Sequence, residues 1–580
     1  MRYLIFIILI RLLEIQVLLR IFHLGEGVAF DHLHQLLALF ALDRLLLLVG
    51  ERDSPGIRRI EQFVEVESED VPFDAMLQRK YRTIDQQVFT ISKKPDPIVY
   101  IDDMAAYNRQ EGLALSDEEI AYLESVSRRI GRKLTDSEVF GFSQVNSEHC
   151  RHKIFNGQFV IDGEAMPSTL FGLIKRTTKE HPGRVVSAYK DNCAFLQGPA
   201  VEQFSPAAHD TSDYFRIEEF ESVISVKAET HNFPTTVEPF NGAATGTGGE
   251  IRDRIAGGKG AFPVAGTAVY MTAYPRLDGG REWEKATEPR EWLYQTPEDI
   301  LIKASNGASD FGNKFGQPLI CGSLQTFEHF ENGKKYGFDK VIMQAGGIGY
   351  GRKRDSIKDE PEAGDRVVLL GGDNYRIGMG GGAVSSVATG EYAGAIELNA
   401  VQRSNPEMQK RAYNAIRAIS EEGVNPIISI HDHGAGGHLN CLSELVEATG
   451  GRIDMDKLPI GDPTLSAKEI VGNESQERMG LVIDEKNIDK LRRIAERERS
   501  PFYVIGEATG DMQFTFVDNR TGEKPIDLKL EDMFGKAPRT VLADRTVEER
   551  FAEPRYTAGS LNRYIENVLQ MEAVACKDWL

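Results

Sequence analysis

The sequence predicts an α/β protein, and three observations carry that reading. β-rich runs alternate with helical runs from about Glu221 onward. Glycines gather where those runs end, as at strand termini that must turn sharply or approach a ligand closely. The composition, 41% hydrophobic and 27% charged over 580 residues, is that of a globular chain long enough to bury a large core.

The N-terminus departs from this pattern. "MRYLIFIILIRLLEIQVLLRIF" begins like an export signal, but Arg11, Glu14 and Arg20 interrupt it. No uninterrupted apolar run reaches the roughly 18–20 residues of a membrane span, and no small-residue cleavage site follows cleanly. A second run, "LHQLLALFALDRLLLLVG", comes directly after it. An amphipathic helical segment, a membrane- or export-directed segment, and a mis-set start or reading frame all remain open for residues 1–53.

After Asp53 the composition is ordinary. "SDEEIAYLESVSRRIGRKLTDSEVFGFSQ" reads as two helices, with Ser116 as N-cap, Glu119 completing a capping box, and Leu134-Thr135-Asp136 opening the second. "SVISVKAET" alternates as a strand does and runs into "NGAATGTGGEIRD". "KGAFPVAGTAVYMT" and "KVIMQAGGIGYG" are further strands. "AGDRVVLLGG" opens what reads as a new domain. It is followed by "GMGGGAVSS", a helix near Pro406 to Ala418, the strand "PIISIHD", a glycine turn into "HLNCLSELVEAT", the strand "RMGLVI" and the charged helix "NIDKLRRIAERER".

Charge narrows the function classes. The 88 acidic residues outnumber the 68 basic ones, for a net charge of -20. With no basic stripe, general binding to a nucleic-acid backbone is not expected; local phosphate binding through backbone N–H groups and a metal ion is compatible with an acidic chain. The five cysteines, Cys150, Cys193, Cys321, Cys441 and Cys576, are odd in number, widely spaced and without a C-x-x-C pair. That usage fits a reducing cytosol.

The chemistry concentrates in Lys227 to Asp253, "KAETHNFPTTVEPFNGAATGTGGEIRD". It is neither a P-loop nor a G-x-G-x-x-G fingerprint. Its glycine stretch reads as a loop of N–H donors, Lys227 as a point charge, Glu229 and Asp253 as hard oxygen ligands for Mg²⁺, and Arg252 as a fork for phosphate or carboxylate. A plain surface turn between strands is the alternative. "HDHGAGGH" places Asp432 at a strand end, better suited to Mg²⁺ than His431, His433 and His438 are to zinc. Glu474, Ser475 and Gln476 in "GNESQERMG" suit ligand hydrogen bonds or a simple turn. "VNSEHCRH" leaves four readings for Glu148, His149, Cys150 and His152. Zinc ligation fits no familiar spacing, a Cys150 nucleophile needs a base and an orienting group, His149 suits acid–base or charge-stabilising work, and a buried histidine at a helix end is the structural alternative.

"NSEHCRHKIFNG", "SAYKDN", the Lys227–Asp253 stretch, "NKFGQPLICG", "VQRSNPEMQKR", "HDHGAGGHLN" and "GNESQER" occur in order. Together they resemble the phosphoribosylformylglycinamidine synthase family in its large, single-chain form, from about Ser54 to Leu580. The resemblance implies an aminoimidazole ribonucleotide synthetase-like two-domain half preceded by a helical linker. The expected boundaries are linker 54–140, domain A 141–358, domain B 359–540, and the start of a second half at 541–580. It implies an ATP-dependent carbon–nitrogen ligase of purine biosynthesis, converting formylglycinamide ribonucleotide, ATP and glutamine-derived ammonia to the amidine through an iminophosphate. The alternatives are another ATP enzyme of that superfamily, or a half that only binds or assembles.

By motif, His149 and His231 fall at catalytic positions. His152, Lys227, Gly242, Ala243, Ala244, Thr245, Gly246, Thr247, Gly248 and Gly249 fall at ATP positions; in related short forms the residue at His152 is a tyrosine. Thr230, Asn232, Phe233, Arg252, Gln402, Glu474, Ser475 and Gln476 fall at substrate positions, and Glu229, Asp253 and Asp432 at Mg²⁺ positions. Cys150 is not the family's glutaminase nucleophile. Residues 1–53 do not match the family's N-terminal domain, and the chain stops at "AVACKDWL", where the second half would begin. The expectation is therefore a cytoplasmic synthase half whose partners are a second half and a glutaminase domain, with no nucleic-acid or membrane partner.

Overall fold

Local capping fixes the start of the fold. In the computed structural model, residues 90–576 are described apart from 278–279, 292–294, 385–393, 476 and 536–537. The leucine-rich segment 1–53, residues 54–89 of the expected linker, and Gln476 lie outside the described residues. Ser116 Oγ accepts from Glu119 N at 3.2 Å while Glu119 Oε2 accepts from Ser116 N at 2.9 Å, the reciprocal capping box read from sequence, and the helix Asp117–Ile130 follows. Thr135 and Glu138 repeat the device at the helix Asp136–Val145. Ile120, Leu123 and Val126 form a stripe at helical spacing and are buried.

That stripe packs on a sheet far away in sequence. Ile120, Leu123, Val126, Leu134, Val139 and Phe142 share one core with Val367, Leu369, Phe514, Phe516 and Ile526. Each such side chain contributes about 1.5–3 kcal/mol on burial. The segment expected as a linker thus covers one face of a sheet.

A six-stranded sheet runs, in spatial order, Val185–Ser187, Ala194–Pro206, Phe215–Thr230, Ile342–Arg352, Phe262–Thr272 and Leu319–Thr326. Only the last pair is parallel, joined across the helix Pro297–Phe315. The helix Pro239–Ile255 and the helix Pro297–Phe315 supply Ala243, Leu301, Ala304 and Ala308 against Ala268, Tyr270, Met343 and Ala345 of the strands. Elsewhere on this sheet Val264 and Ile348 stay about half exposed.

A seven-stranded sheet follows, in spatial order Ile427–Asp432, Arg478–Ile483, Arg366–Gly371, Phe502–Ala508, Gly451–Asp454, Gln513–Val517 and Ile526–Lys529. Pairing is again largely antiparallel, so the fold is α+β in its sheets. In Arg366–Gly371, alternate side chains serve two cores. Val367 and Leu369 meet the N-terminal helices, while Val368 and Leu370 meet the helices Pro406–Ser420 and Ile488–Glu498. The second core also takes in Ile251, Ile255, Phe311 and Phe315, so the helices of the first sheet lie against those of the second.

Two further features frame the fold. Arg254, fully buried, donates to Glu250 Oε2 at 2.9 Å and to the Ile348 carbonyl at 2.6 Å, and also bonds Gln317. Gly347 makes room for it, since a Cβ there would lie 2.5 Å from its guanidinium. Val541–Asp544, within the segment expected to begin a second half, pairs in parallel with Gln158–Ile161. No helix among the described residues is long and apolar enough to cross a membrane.

Candidate functional site

The strand Phe215–Thr230 delivers Lys227 and Glu229 to one face, since residues two apart on a strand point the same way. That face looks onto the last turns of the helix Pro239–Ile255. Lys227 Nζ lies 2.6 Å from Asp253 Oδ2 and 3.2 Å from Glu229 Oε2. From the other sheet, Asp432 ends the strand Ile427–Asp432 and faces the same cluster. Asn192 Nδ2 donates to Asp432 Oδ1 at 2.9 Å and to Asp253 Oδ1 at 3.2 Å. Arg252 places Nε 3.7 Å from Asp432 Oδ2 and Nη1 3.0 Å from Gln409 Oε1.

The electrostatics follow from burial and crowding. Burial pushes the Asp432 carboxyl well above the usual range, and the Asp253 charge adds to the rise. Burial also raises Asp253, against the pull of Lys227. For Glu229, burial is outweighed by Lys227 and His149, so its carboxyl is held below the usual range. Burial takes His231 down to about 3, helped by His149 and Arg252, so its ring is neutral at physiological pH.

Two polar atoms at this cluster are buried without a hydrogen-bond partner, His231 Nε2 and Arg252 Nε. A buried group left unpaired costs about 1–3 kcal/mol, more if charged. The N–H of Arg252 waiting for an acceptor is what an anionic ligand would satisfy, and the neutral imidazole nitrogen of His231 is what a ligand donor would satisfy.

His149 is exposed on the short helix Glu148–Arg151, capped by Ser147, and its charge is felt by both Glu229 and His231. His152 takes a left-handed backbone with φ 52° at the end of that helix. Its ring stacks on Phe171 at 5.4 Å, and Phe171 meets Tyr189 edge-on at 5.8 Å, which makes an aromatic platform beside the "SAYKDN" segment. Cys150 is not a thiolate: burial pushes its thiol up to about 12, with Glu444 adding to the rise.

A second group of candidate residues lies along the seven-stranded sheet. Glu474 accepts from Gly436 N at 2.9 Å and from Gln402 Nε2 at 3.1 Å, and burial lifts its carboxyl to about 7. His433 and His438 are hydrogen-bonded to each other at 3.1 Å, and burial lowers both well below the ordinary range. They form a structural pair.

Several expected contacts take other roles. Gly242 to Gly249 are not a loop but the interior of the helix Pro239–Ile255. Backbone N–H groups there bond within the helix and cannot cradle phosphate. The small residues serve close packing instead. A Cβ on Gly242 would strike the Pro234 carbonyl, and one on Gly246 would lie 2.7 Å from Met343 Sδ and 2.9 Å from His231 Cβ. Thr245 and Thr247 are buried in the same helix with Ala243 and Ala244. Phe233 is 2% exposed and packs with Val237, Val384, Ala400 and Val401, so its side chain is core. The Ser475 hydroxyl is taken up by Asn473 Oδ1 at 2.5 Å and Tyr375 N at 3.1 Å. Asn232 Oδ1 accepts from Met343 N at 3.0 Å. Thr230 is exposed and alternates to the sheet face opposite Glu229.

For a metal, the donor chemistry fits a hard cation, because the carboxylates of Glu229, Asp253 and Asp432 converge from a strand of each sheet and from the helix Pro239–Ile255. Among the described residues, however, no three His, Cys, Asp or Glu stand at metal-holding spacing. Lys227 and Asn192 hold the three carboxylates instead.

Two family models match. Residues 104–153 match "Formylglycinamide ribonucleotide amidotransferase linker domain", covering the four helices from Met104 to Arg151 with His149 and His152. Residues 362–519 match "AIR synthase related protein, C-terminal domain", covering all of the seven-stranded sheet except its edge strand Ile526–Lys529. The chain is similar to phosphoribosylformylglycinamidine synthase. Among solved structures of that kind, Thermotoga maritima PurL complexed with FGAR is 22% identical with a TM-score of 0.50, covering 76% of this chain and 59% of that one. T. maritima PurL complexed with ATP is 21% identical with a TM-score of 0.47, covering 76% and 58%. Phosphoribosylformylglycinamidine synthase II from the same organism is 22% identical with a TM-score of 0.47, covering 75% and 57%. At these identities the likeness is one of fold. The chain spans less than three fifths of the length of each.

Proposed function

We propose that this chain carries a synthase half of an ATP-dependent phosphoribosylformylglycinamidine synthase, acting in purine biosynthesis in the cytoplasm. The observation that carries the reading is the convergence of Lys227, Glu229, Asp253, Asp432, Arg252 and His231 at one place, with two buried polar atoms lacking a hydrogen-bond partner. The linker-domain match supports this enzyme over other members of the superfamily, because it includes the segment bearing His149. Domain A at 141–358 and domain B at 359–540 are part of the proposal, as is glutamine-derived ammonia supplied by a glutaminase.

In the proposed reaction the glycinamide carbonyl oxygen, on the carbon bonded to the ribosyl nitrogen, takes the γ-phosphoryl group of ATP with release of ADP, and ammonia then forms the C–N bond at that carbon as phosphate leaves. A magnesium ion held by Glu229, Asp253 and Asp432 would neutralise phosphate charge during transfer. Lys227, released from Asp253, supplies a cation to the same phosphates. Arg252 Nε donates to an anionic oxygen of the ribonucleotide. His231, neutral with Nε2 free, accepts the proton that the amide nitrogen or the incoming ammonia must lose. His149, exposed and close to His231, stabilises charge as the iminophosphate forms. The aromatic platform of His152 and Phe171 offers a stacking surface for adenine.

Calorimetric titration of the folded chain with ATP and Mg²⁺, then with formylglycinamide ribonucleotide, tests the reading. Micromolar binding of both is expected. Binding of neither refutes it. In the assembled enzyme, His149→Ala is expected to abolish ammonia-dependent ADP formation while leaving the fold intact, and unchanged turnover would remove His149 from its role.

A further inference from the structure

The motif "VQRSNPEMQKR" carries two glutamines, and only the first, Gln402, has a part in the reaction above. The second, Gln409, lies in the opening turns of the helix Pro406–Ser420 and is 1% exposed. Its Oε1 accepts from Arg252 Nη1 at 3.0 Å, and its Nε2 donates to the Gly248 carbonyl at 3.1 Å. Glu477 reinforces the hold on Arg252. Its Oε1 lies 3.8 Å from the same Nη1 and accepts from Asn405 N at 3.0 Å. Asn405 is the N-cap of the Gln409 helix, with Oδ1 accepting from Met408 N at 3.1 Å. The start of one helix thus sets both groups that face Arg252 Nη1. Arg252 itself is 3% exposed, and its Nε is buried without a hydrogen-bond partner.

The chemistry of these partners fixes the Gln409 amide. A guanidinium only donates and a backbone carbonyl only accepts. The flipped amide would set N–H against N–H on one side and oxygen against oxygen on the other. Gly248 and Arg252 are one helical turn apart, so the amide spans the turn that carries the guanidinium. We infer that Gln409 is a positioning residue: it ties Nη1 of Arg252 to the turn at Gly248 and so aims the unpartnered Nε at an anionic oxygen of the ribonucleotide. This rests on the functional reading above. An arginine free to change rotamer would have to be ordered when the ligand binds, and Gln409 orders it beforehand. Methionine at 409 keeps the length and bulk of glutamine and makes neither bond.

The test is calorimetric titration of the full chain with formylglycinamide ribonucleotide and, separately, with ATP and Mg²⁺, in wild type, Gln409→Met, Arg252→Met and the double variant. Gln409→Met is expected to weaken ribonucleotide binding about tenfold, the worth of one hydrogen bond to a charged group, and to leave ATP binding unchanged. Arg252→Met is expected to weaken the ribonucleotide at least as much. Adding Gln409→Met to it should then cost less than about twofold more, because the group that Gln409 positions is already gone. A merely structural role would weaken both ligands and give additive losses. Equal ribonucleotide affinity in wild type and Gln409→Met, loss of both ligands in Gln409→Met, or additive losses in the cycle overturns the positioning role and leaves the functional reading standing. A wild-type chain that does not bind the ribonucleotide overturns the inference, and one that binds neither ligand overturns the functional reading as well.

Discussion

The helix Pro239–Ile255 allows a direct test of what its glycines do. In Gly242→Ala the new Cβ would meet the Pro234 carbonyl group and lie 2.5 Å from Thr235 N, all backbone atoms of the preceding turn. In Gly249→Ala its nearest neighbours are Arg252 Nη2 at 3.8 Å and Glu229 Cγ at 3.9 Å, ordinary contact distances. Replacing an interior helical glycine by alanine favours the helix by about 1 kcal/mol. Forcing a methyl into filled space costs about 1–3 kcal/mol, at the upper end when backbone must move. Gly242→Ala should therefore lose about 1–2 kcal/mol, and Gly249→Ala should gain about 1 kcal/mol. Equilibrium urea unfolding followed by circular dichroism reads both, with the denaturant midpoint shifting in opposite directions at an unchanged slope. Gly242→Ala as stable as wild type would refute the close-packing argument. A destabilised Gly249→Ala would refute the helix, since a loop glycine at positive φ is what alanine penalises.

Other outcomes follow from the buried groups. Burial lifts the Glu474 carboxyl to about 7 from the ordinary 4.5, so the folded state binds more protons than the unfolded state between those values and stability falls as pH rises from 4.5 to 7. Removing the carboxylate in Glu474→Gln should flatten that slope, worth on the order of 3 kcal/mol across the window; denaturant midpoints at pH 5 and pH 7.5 check it, and an unaltered slope would rule Glu474 out as its source. Cys150, with its thiol pushed up to about 12, should resist iodoacetamide at pH 7.5 while exposed Cys321 reacts. Peptide mapping that finds equal labelling would contradict the upward shift of the Cys150 thiol.

The sequence made some parts of this structure legible and hid others for identifiable reasons. Ser116 with Glu119 is a purely local device, and it stands where the spacing put it. Lys227 and Glu229 share a face because a strand has period two, and Asp432 sits at a strand end because the run "PIISIHD" stops there. The glycines of the Gly242–Gly249 stretch suggest a loop because glycine favours turns. The contrary signals are Pro239 at the first helical position and Ile251 and Ile255 four apart on the buried side. Phe233 sits beside His231 in sequence, yet its ring turns into the core, which adjacency along the chain does not reveal. Asn192 and Lys358 are 166 positions apart, and nothing local announces that they meet.

The N-terminal helices have a consequence for synthesis. Tyr122 OH donates to the Asp532 carbonyl at 3.0 Å, and Thr135 Oγ1 to the Pro525 carbonyl at 2.5 Å, across 410 and 390 positions. A ribosome adding about 5–20 residues per second needs roughly 20–80 s to make the sheet those helices cover. Through that interval Leu123, Val126 and Phe142 emerge as an oily stripe with no native surface to meet. The nascent chain therefore presents a long-lived site for chaperones, and its folding cannot be completed from the N-terminus forward.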